Sequence, residues 1–348
     1  MSAFLRTAFA VMAAGVVGTA FSEAWACSVC LAGDPNFSTH GTSAQQKGDF
    51  SLYLELKGWR KTSGHPMAEG GHEHEEAADH EHAEDHGEEA EEGHAHADEG
   101  SERNRSQRLD IFASWTPLDR LTLTLDAPFA RNHIVEEVGE ERTRSTLAGF
   151  GDISLLGSVV LWRNREVLPV TWIEGRVFVK APTGSERQKV DGHRDPHLQL
   201  GTGSWDFGLG LAAAHRMAWG ALYGSVFYRN NTEGALDYAV GDVFLANVAA
   251  EVPLEHFSPS RECLKALTAG LELNFRSADY DLSQGERFED SGGAILYATP
   301  SLRIRLPWDQ GDRSPSLRLA VQLPLVQTWL HNQQREKEVW SVGLFFPF

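Results

Sequence analysis

The sequence predicts an all-β fold, a transmembrane antiparallel β-barrel of about twelve strands with N- and C-termini both periplasmic. Three observations carry this. From Gly48 onward apolar and polar residues alternate with period two, which places successive side chains on opposite faces of a strand. The connections between these runs are alternately short and long, the asymmetry of a barrel with tight periplasmic turns and long external loops. After Phe21 no stretch approaches the roughly twenty consecutive apolar residues that a membrane helix needs.

The elements follow in chain order. Arg6 precedes an apolar run from Ala8 to Phe21, and the pattern ends at Ala24-Trp25-Ala26, an A-x-A cleavage site. Residues 1–26 therefore read as a signal peptide, with the mature chain starting near Cys27. The run is short for a spanning anchor and no stop-transfer pattern follows. Residues 27–47 form a periplasmic segment and 48–348 the barrel. Strands are expected near 49–60, 105–116, 121–131, 147–162, 170–181, 202–216, 220–231, 241–252, 266–276, 292–306, 315–325 and 338–348. Leu121-Thr122-Leu123-Thr124-Leu125-Asp126-Ala127 shows the pattern plainly, as does Leu267 to Arg276.

Short connections are expected at Pro117–Arg120, Arg163–Pro169 and Met217–Trp219, with Pro253–Lys265 and Pro307–Ser314 somewhat longer. Long ones fall at Lys61–Asn104, Asn132–Thr146, Pro182–Gly201 and Ala278–Ser291. A soluble β-sandwich would alternate too, but it buries its apolar face in a common core. Here a charged set and an apolar set run through nearly every strand. The expected lumen side carries Glu55, Lys57, Asp110, Asp126, Glu174, Arg176, Lys180, Asp206, Glu272, Arg276, Arg303, Arg305 and Arg318. Such a mixture pairs with itself and narrows the bore, or lines a pathway. Trp115, Trp162, Trp219, Trp308 and Trp329 suit interfacial girdles against outer-membrane lipid.

Trp340, Val342, Leu344, Phe346 and Phe348 share one face of the last strand. This resembles the terminal signature of bacterial outer-membrane proteins, which implies the barrel insertion machinery as a partner and the outer membrane of a Gram-negative bacterium as the location.

The net charge of −18 is concentrated: Thr62 to Glu102 holds fifteen acidic residues and no Lys or Arg. The remainder is close to balanced, so nucleic-acid binding has no support. Between His65 and His96 lie His65, His72, His74, His80, His82, His86, His94 and His96, eight of the chain's fifteen histidines. Residues 62–104 are expected to form a disordered external loop. Imidazole suits Zn, Cu and Ni, and the interleaved carboxylates add oxygen donors. H-x-H pairs point one way in an extended chain, whereas His82 and His86 share a face in a helical one. The expectation is an adjustable multidentate chelator of divalent transition metal ions that weakens toward pH 5. A solvated polar insert is the plainer alternative.

Cys27 and Cys30 form a C-x-x-C, and Cys263 stands alone. In an exported protein the pair reads as a disulfide, or as a periplasmic metal pair with His40 nearby. Leu31 follows Cys30, so the haem motif C-x-x-C-H is absent. No nucleophile elbow, H-E-x-x-H or phosphate-binding glycine pattern occurs, so neither an enzyme nor an organic cofactor is expected. The glycines of Gly149-Phe150-Gly151-Asp152 and Gly201-Thr202-Gly203-Ser204 are expected to relieve crowding on a curved wall.

Gly149-Phe150-Gly151-Asp152-Ile153-Ser154-Leu155, Val179-Lys180-Ala181-Pro182-Thr183-Gly184 and Leu200-Gly201-Thr202-Gly203-Ser204-Trp205-Asp206-Phe207 resemble, in order and spacing, three blocks of the outer-membrane transporter family named after a phenol-degradation meta-pathway protein. The resemblance spans Gly48 to Phe348 and implies a pore-like barrel for small molecules. The 61–104 insertion and the Cys27/Cys30 pair depart from the family pattern. The leading functional expectation is therefore a barrel that gathers a divalent metal on its external loop for uptake or export. The alternatives are a channel for small aromatic or hydrophobic molecules and a surface metal buffer with a closed lumen.

Overall fold

A computed structural model describes residues 46–62, 101–138, 141–166, 169–189, 199–288, 291–307, 314–329 and 335–348. The expected signal peptide, Cys27, Cys30 and all eight histidines of the acidic segment lie outside the described residues.

Twelve staves form the wall. They are β1 (Phe50–Thr62), β2 (Ser101–Leu118), β3 (Leu121–Val138), β4 in two segments (Glu141–Phe150 and Ser154–Arg163), β5 (Thr171–Lys180) and β6 (Asp206–Met217). There follow β7 (Gly220–Asn231), β8 (Val243–Pro253), β9 (Leu267–Ala278), β10 (Gly293–Arg305), β11 (Ser316–Trp329) and β12 in two segments (Arg335–Glu336 and Val339–Pro347). Successive staves pair antiparallel, and β1 pairs with both β2 and β12, from Ser51 opposite Pro347 to Gly58 opposite Trp340. That last ladder joins the first and last staves and closes the sheet.

Burial is inverted relative to a soluble barrel. On the outside, Leu209 is 66% exposed and Val248 62%, while inside Glu55 is 2% exposed and Asp110 0%. Along β6 the outward Phe207, Leu209 and Leu211 alternate with the buried Asp206, Ala212 and Ala214. An apolar exterior of this extent is unstable against water and stable against hydrocarbon. Two aromatic girdles bound it. Phe50, Trp115, Trp162, Trp219 and Phe348 are exposed near one end, and Phe129, Phe150, Trp205, Phe207, Tyr228 and Phe244 near the other. Trp308 lies outside the described residues, and Trp329 closes β11.

The tight connections 119–120, 164–170 and 218–219 share one end with 254–266 and 306–315. The described ends of the chain meet there as well: Phe348 N donates to Phe50 O at 2.8 Å and Gly48 N to Thr116 O at 2.8 Å. At the opposite end the segments Tyr238–Ala239, Leu282–Ser283 and Glu286–Arg287 form a small three-stranded sheet on the rim.

Three expectations change. Asn132–Thr146, expected as a long loop, is mostly a hairpin, with β3 and β4 paired from Phe129 opposite Phe150 to Val138 opposite Glu141. Its residues are polar on both faces, which reads as loop. Beyond the hydrocarbon, however, a ladder needs no apolar face, and facing positions such as His133 and Thr146 meet through polar side chains. The loop expected over 62–104 is likewise shorter, because β1 runs to Thr62 and β2 begins at Ser101. The strand expected over 147–162 is broken at Gly151-Asp152-Ile153, where the candidate site lies.

Candidate functional site

The alternation fixes which side chains enter the bore, and the charges among them pair across it. Arg108 contacts Asp110 and lies 3.4 Å from Asp126; Lys57 lies 3.1 Å from Asp110 and 3.3 Å from Glu55. Arg318 on β11 continues the chain, 3.5 Å from Glu55 and 3.2 Å from Glu272. Its partners stand on β1 and β9, so each contact skips a stave and runs as a chord through the lumen. Arg276 on β9 reaches Glu336 on β12 at 3.1 Å, and Arg303 on β10 contacts Glu251 on β8. Arg176 pairs with Glu174 at 2.7 Å. In this low-dielectric interior each charge is held by an opposite one, which offsets the desolvation cost.

The break in β4 sits opposite Pro128 on β3. Asp126 faces Ser154 and Phe129 faces Phe150, so three residues of β4 oppose two of β3 as in a bulge. Proline offers no N–H to the ladder there; its carbonyl still accepts from Gly151 N at 2.9 Å. Below the break β4 pairs with both β3 and β5. Above it, Glu141–Phe150 pairs with β3 alone among the described residues. Among the described residues the wall has a breach at that level.

The chain between β5 and β6 turns into the breach and is tied there by one carboxylate. Asp152 accepts from Gly184 N at 2.9 Å, Thr202 N at 2.8 Å and the Thr202 hydroxyl at 2.9 Å, and Lys180 stands 3.4 Å away. Lys180 also meets Asp206 at 2.5 Å. Three glycines permit the approach. A β-carbon on Gly184 would stand 2.8 Å from the Gly151 carbonyl carbon and 2.8 Å from Gly201 Cα; one on Gly201 would stand 2.5 Å from Asp152 Oδ1. Further inward, Gln199 O accepts from the Asn132 amide at 3.2 Å, and Leu200 packs on Ala130 and Leu147 inside the barrel. The expected wall-relieving glycines are therefore close-packing glycines, because they let three backbone segments meet around one acid.

Behind this knot lies a cavity of about 580 Å³ of empty space, part of it open to solvent. One side is charged, with Arg108, Asp126, Asp152, Lys180, Asp206 and Arg229; the other is apolar, with Pro128, Ala130, Phe178, Leu200 and Val240. Beside Phe178 the buried side chains Leu156 and Phe227, with Leu245 packed against them, make an apolar cluster inside the bore.

Of the expected lumen residues, Glu55, Asp110, Asp126, Glu174, Arg176 and Glu272 are buried, as are Lys57, Lys180 and Asp206. Arg318 and Arg276 are nearly so, Arg303 is partly exposed and Arg305 is exposed toward the short-turn end. Asp126, Lys180 and Asp206 line the cavity; the others, Arg305 apart, are held in ion pairs. Arg108, Asp152, Arg229, Phe178 and Phe227 were not read as site residues. The glycine blocks around Asp152 were the signal for the first of these neighbourhoods, and no local pattern marks the aromatic pair. Among the described residues no group of three or more His, Cys, Asp or Glu is placed to hold a metal ion.

Fold and site together define a transmembrane β-barrel with a mixed, amphipathic bore. No family model matches the chain, and no curated protein matches its sequence. Among solved structures, an outer-membrane channel from Pseudomonas putida F1 is similar over 91% of this chain and 100% of that one, with 13% identity and a TM-score of 0.55. A monoaromatic hydrocarbon channel (87% and 89% covered, 7% identity, TM-score 0.40) and a FadL homologue from Pseudomonas aeruginosa (92% and 94%, 10%, 0.37) are more distant. The first of these likenesses shows that the chain has the fold of an outer-membrane channel.

Proposed function

We propose that this protein is a channel of the Gram-negative outer membrane for small hydrophobic molecules, aromatic ones included, which reach the lumen cavity through the breach beside the first segment of β4. The observation that carries the reading is the far edge of Glu141–Phe150, which pairs with no strand among the described residues and has an amphipathic cavity behind it. The outward-facing Phe129 and Phe150 rings, 5.3 Å apart and edge to face, set this level at the lipid interface, where aromatic side chains concentrate. A solute partitioned into lipid would meet the breach without first crossing the ion-pair chords of the bore.

The pairing of the lumen carboxylates disfavours metal transport. Glu55, Asp110, Glu174 and Glu272 each face Arg or Lys at ion-pair distance, so a cation would have to displace a partner to use them. Metal binding by the eight histidines is a separate proposal that rests on composition alone. The test of the transport reading is swelling of proteoliposomes in benzoate against arabinose. The channel should admit benzoate faster by about tenfold; equal rates for the two solutes, or admission of neither, would overturn the reading.

A further inference from the structure

The apolar cluster in the bore is out of place in a polar lumen. Leu156 faces Phe178 across β4 and β5, and Phe227 faces Leu245 across β7 and β8. The rings of Phe178 and Phe227 meet edge to face at 6.1 Å. Between them stands β6, which contributes two glycines at this level, Gly208 opposite Phe178 and Gly210 opposite Phe227. The Phe227 ring lies over that glycine bed: a β-carbon on Gly210 would fall 2.5 Å from its Cδ2, and one on Gly208 closer still to its far edge. The contact spans the strand between β5 and β7 and needs both positions bare.

Polar groups lie to either side of this layer. Toward the long-loop end are Lys180, Asp206 and Arg229; toward the short-turn end are Arg176 with Glu174, and Asn247, which donates to Ser225 at 3.1 Å. Phe178 and Phe227 are 3% and 2% exposed, so water does not reach their rings. Hydrophobic constrictions of this kind exclude hydrated solutes by dewetting. An aromatic ring sheds its hydration water at little cost and gains edge-to-face contacts.

We propose that Phe178 and Phe227, seated on Gly208 and Gly210, are the selectivity gate of the bore, crossed by solutes that present a flat aromatic ring on the way from the cavity to the short-turn end and closed to solutes that are polar all round, such as sugars. This rests on the transport reading above. Charged lumen side chains hold the wall, and the aromatic pair decides what passes.

The experiment compares benzoate and arabinose swelling rates, together with single-channel conductance, for the wild type, Phe227→Ala, Gly208→Ala and the double variant. Heat-modifiable gel mobility verifies that each barrel is folded. Phe227→Ala should raise conductance and arabinose permeation by about threefold and lower the benzoate-to-arabinose ratio. Gly208→Ala, by displacing the ring, should change the ratio in the wild-type background and leave it unchanged once Phe227 is Ala. A folded Phe227→Ala barrel with wild-type ratio and conductance would overturn the gate, while the transport reading would stand if wild-type benzoate preference persists. Equal effects of Gly208→Ala in both backgrounds would also overturn it, because the glycine would then act on the wall and not through the ring.

Discussion

Replacing Asp152 with Asn changes one heavy atom and should loosen the chain between β5 and β6 where it is tied at Gly184 and Thr202. The carboxylate receives two backbone N–H groups and one hydroxyl, and its charge faces Lys180. An amide keeps one acceptor oxygen and turns an NH2 toward either Gly184 N or Thr202 N, so one buried donor is left against a donor. Leaving such a group unsatisfied costs about 1–3 kcal/mol, and the remaining bonds lose their charge assistance. Lys180 keeps Asp206 at 2.5 Å, which limits the electrostatic loss. A local cost of about 3 kcal/mol corresponds to a rise on the order of a hundredfold in the released population of the segment. Amide hydrogen exchange, read by mass spectrometry on the protein in detergent, reports that population. Protection of the Gly184 and Thr202 amides should fall by this factor while amides of the β6–β7 ladder keep theirs. Exchange at both amides within about threefold of wild type would refute the claim that Asp152 ties the segment down.

Other perturbations separate wall, lumen and surface. Gly201→Ala should destabilise the barrel by about 1–3 kcal/mol, because its β-carbon would meet Asp152 and Gly184, whereas Gly58→Ala, with nothing within 4 Å, should be silent; urea midpoints of folding into lipid vesicles compare the two. Leu211→Arg places a charge on the exposed apolar face and should cost about 2–4 kcal/mol in the same assay. Arg318→Leu removes the chord between Glu55 and Glu272 and should cost about 3–5 kcal/mol, with reversal potentials shifting toward cation selectivity in the barrels that fold. Deleting Gly64 to Gly100 should abolish multi-site zinc, copper or nickel binding in titration calorimetry at pH 7 and leave benzoate swelling intact; undiminished binding in the deletion variant would make the segment a solvated insert.

Most of the wall was legible because one physical rule, apolar toward lipid and polar toward the bore, writes itself into every stave. Leu209 and Leu211 outside with Asp206 and Ala212 inside need no tertiary information. The rule fails where the chain leaves the hydrocarbon. Asn132 to Arg144 is ladder without amphipathy, and period two alone reads it as loop. It also fails for contacts between strands. Nothing local in Gly151, Gly184 and Gly201 shows that they meet, since they lie on three separate segments, although the block pattern marked each one. The aromatic gate was the least visible part. Phe227 sits on the inward parity of β7 beside Ser225 and Arg229, and only the register of β6 reveals that Gly208 and Gly210 make room for its ring.

The breach itself can be tested by closing it. A β-carbon on Gly149 would stand 2.9 Å from Leu200 Cδ1, so Gly149→Cys with Leu200→Cys should staple the inturned segment to the free segment of β4, in a background where Cys27, Cys30 and Cys263 are Ser. Benzoate uptake by proteoliposomes is then measured before and after reduction. Uptake should be blocked in the oxidised protein and recover to the level of the unstapled barrel when the disulfide is reduced. Undiminished uptake through the oxidised, fully cross-linked protein would contradict it and place the route of access elsewhere in the barrel.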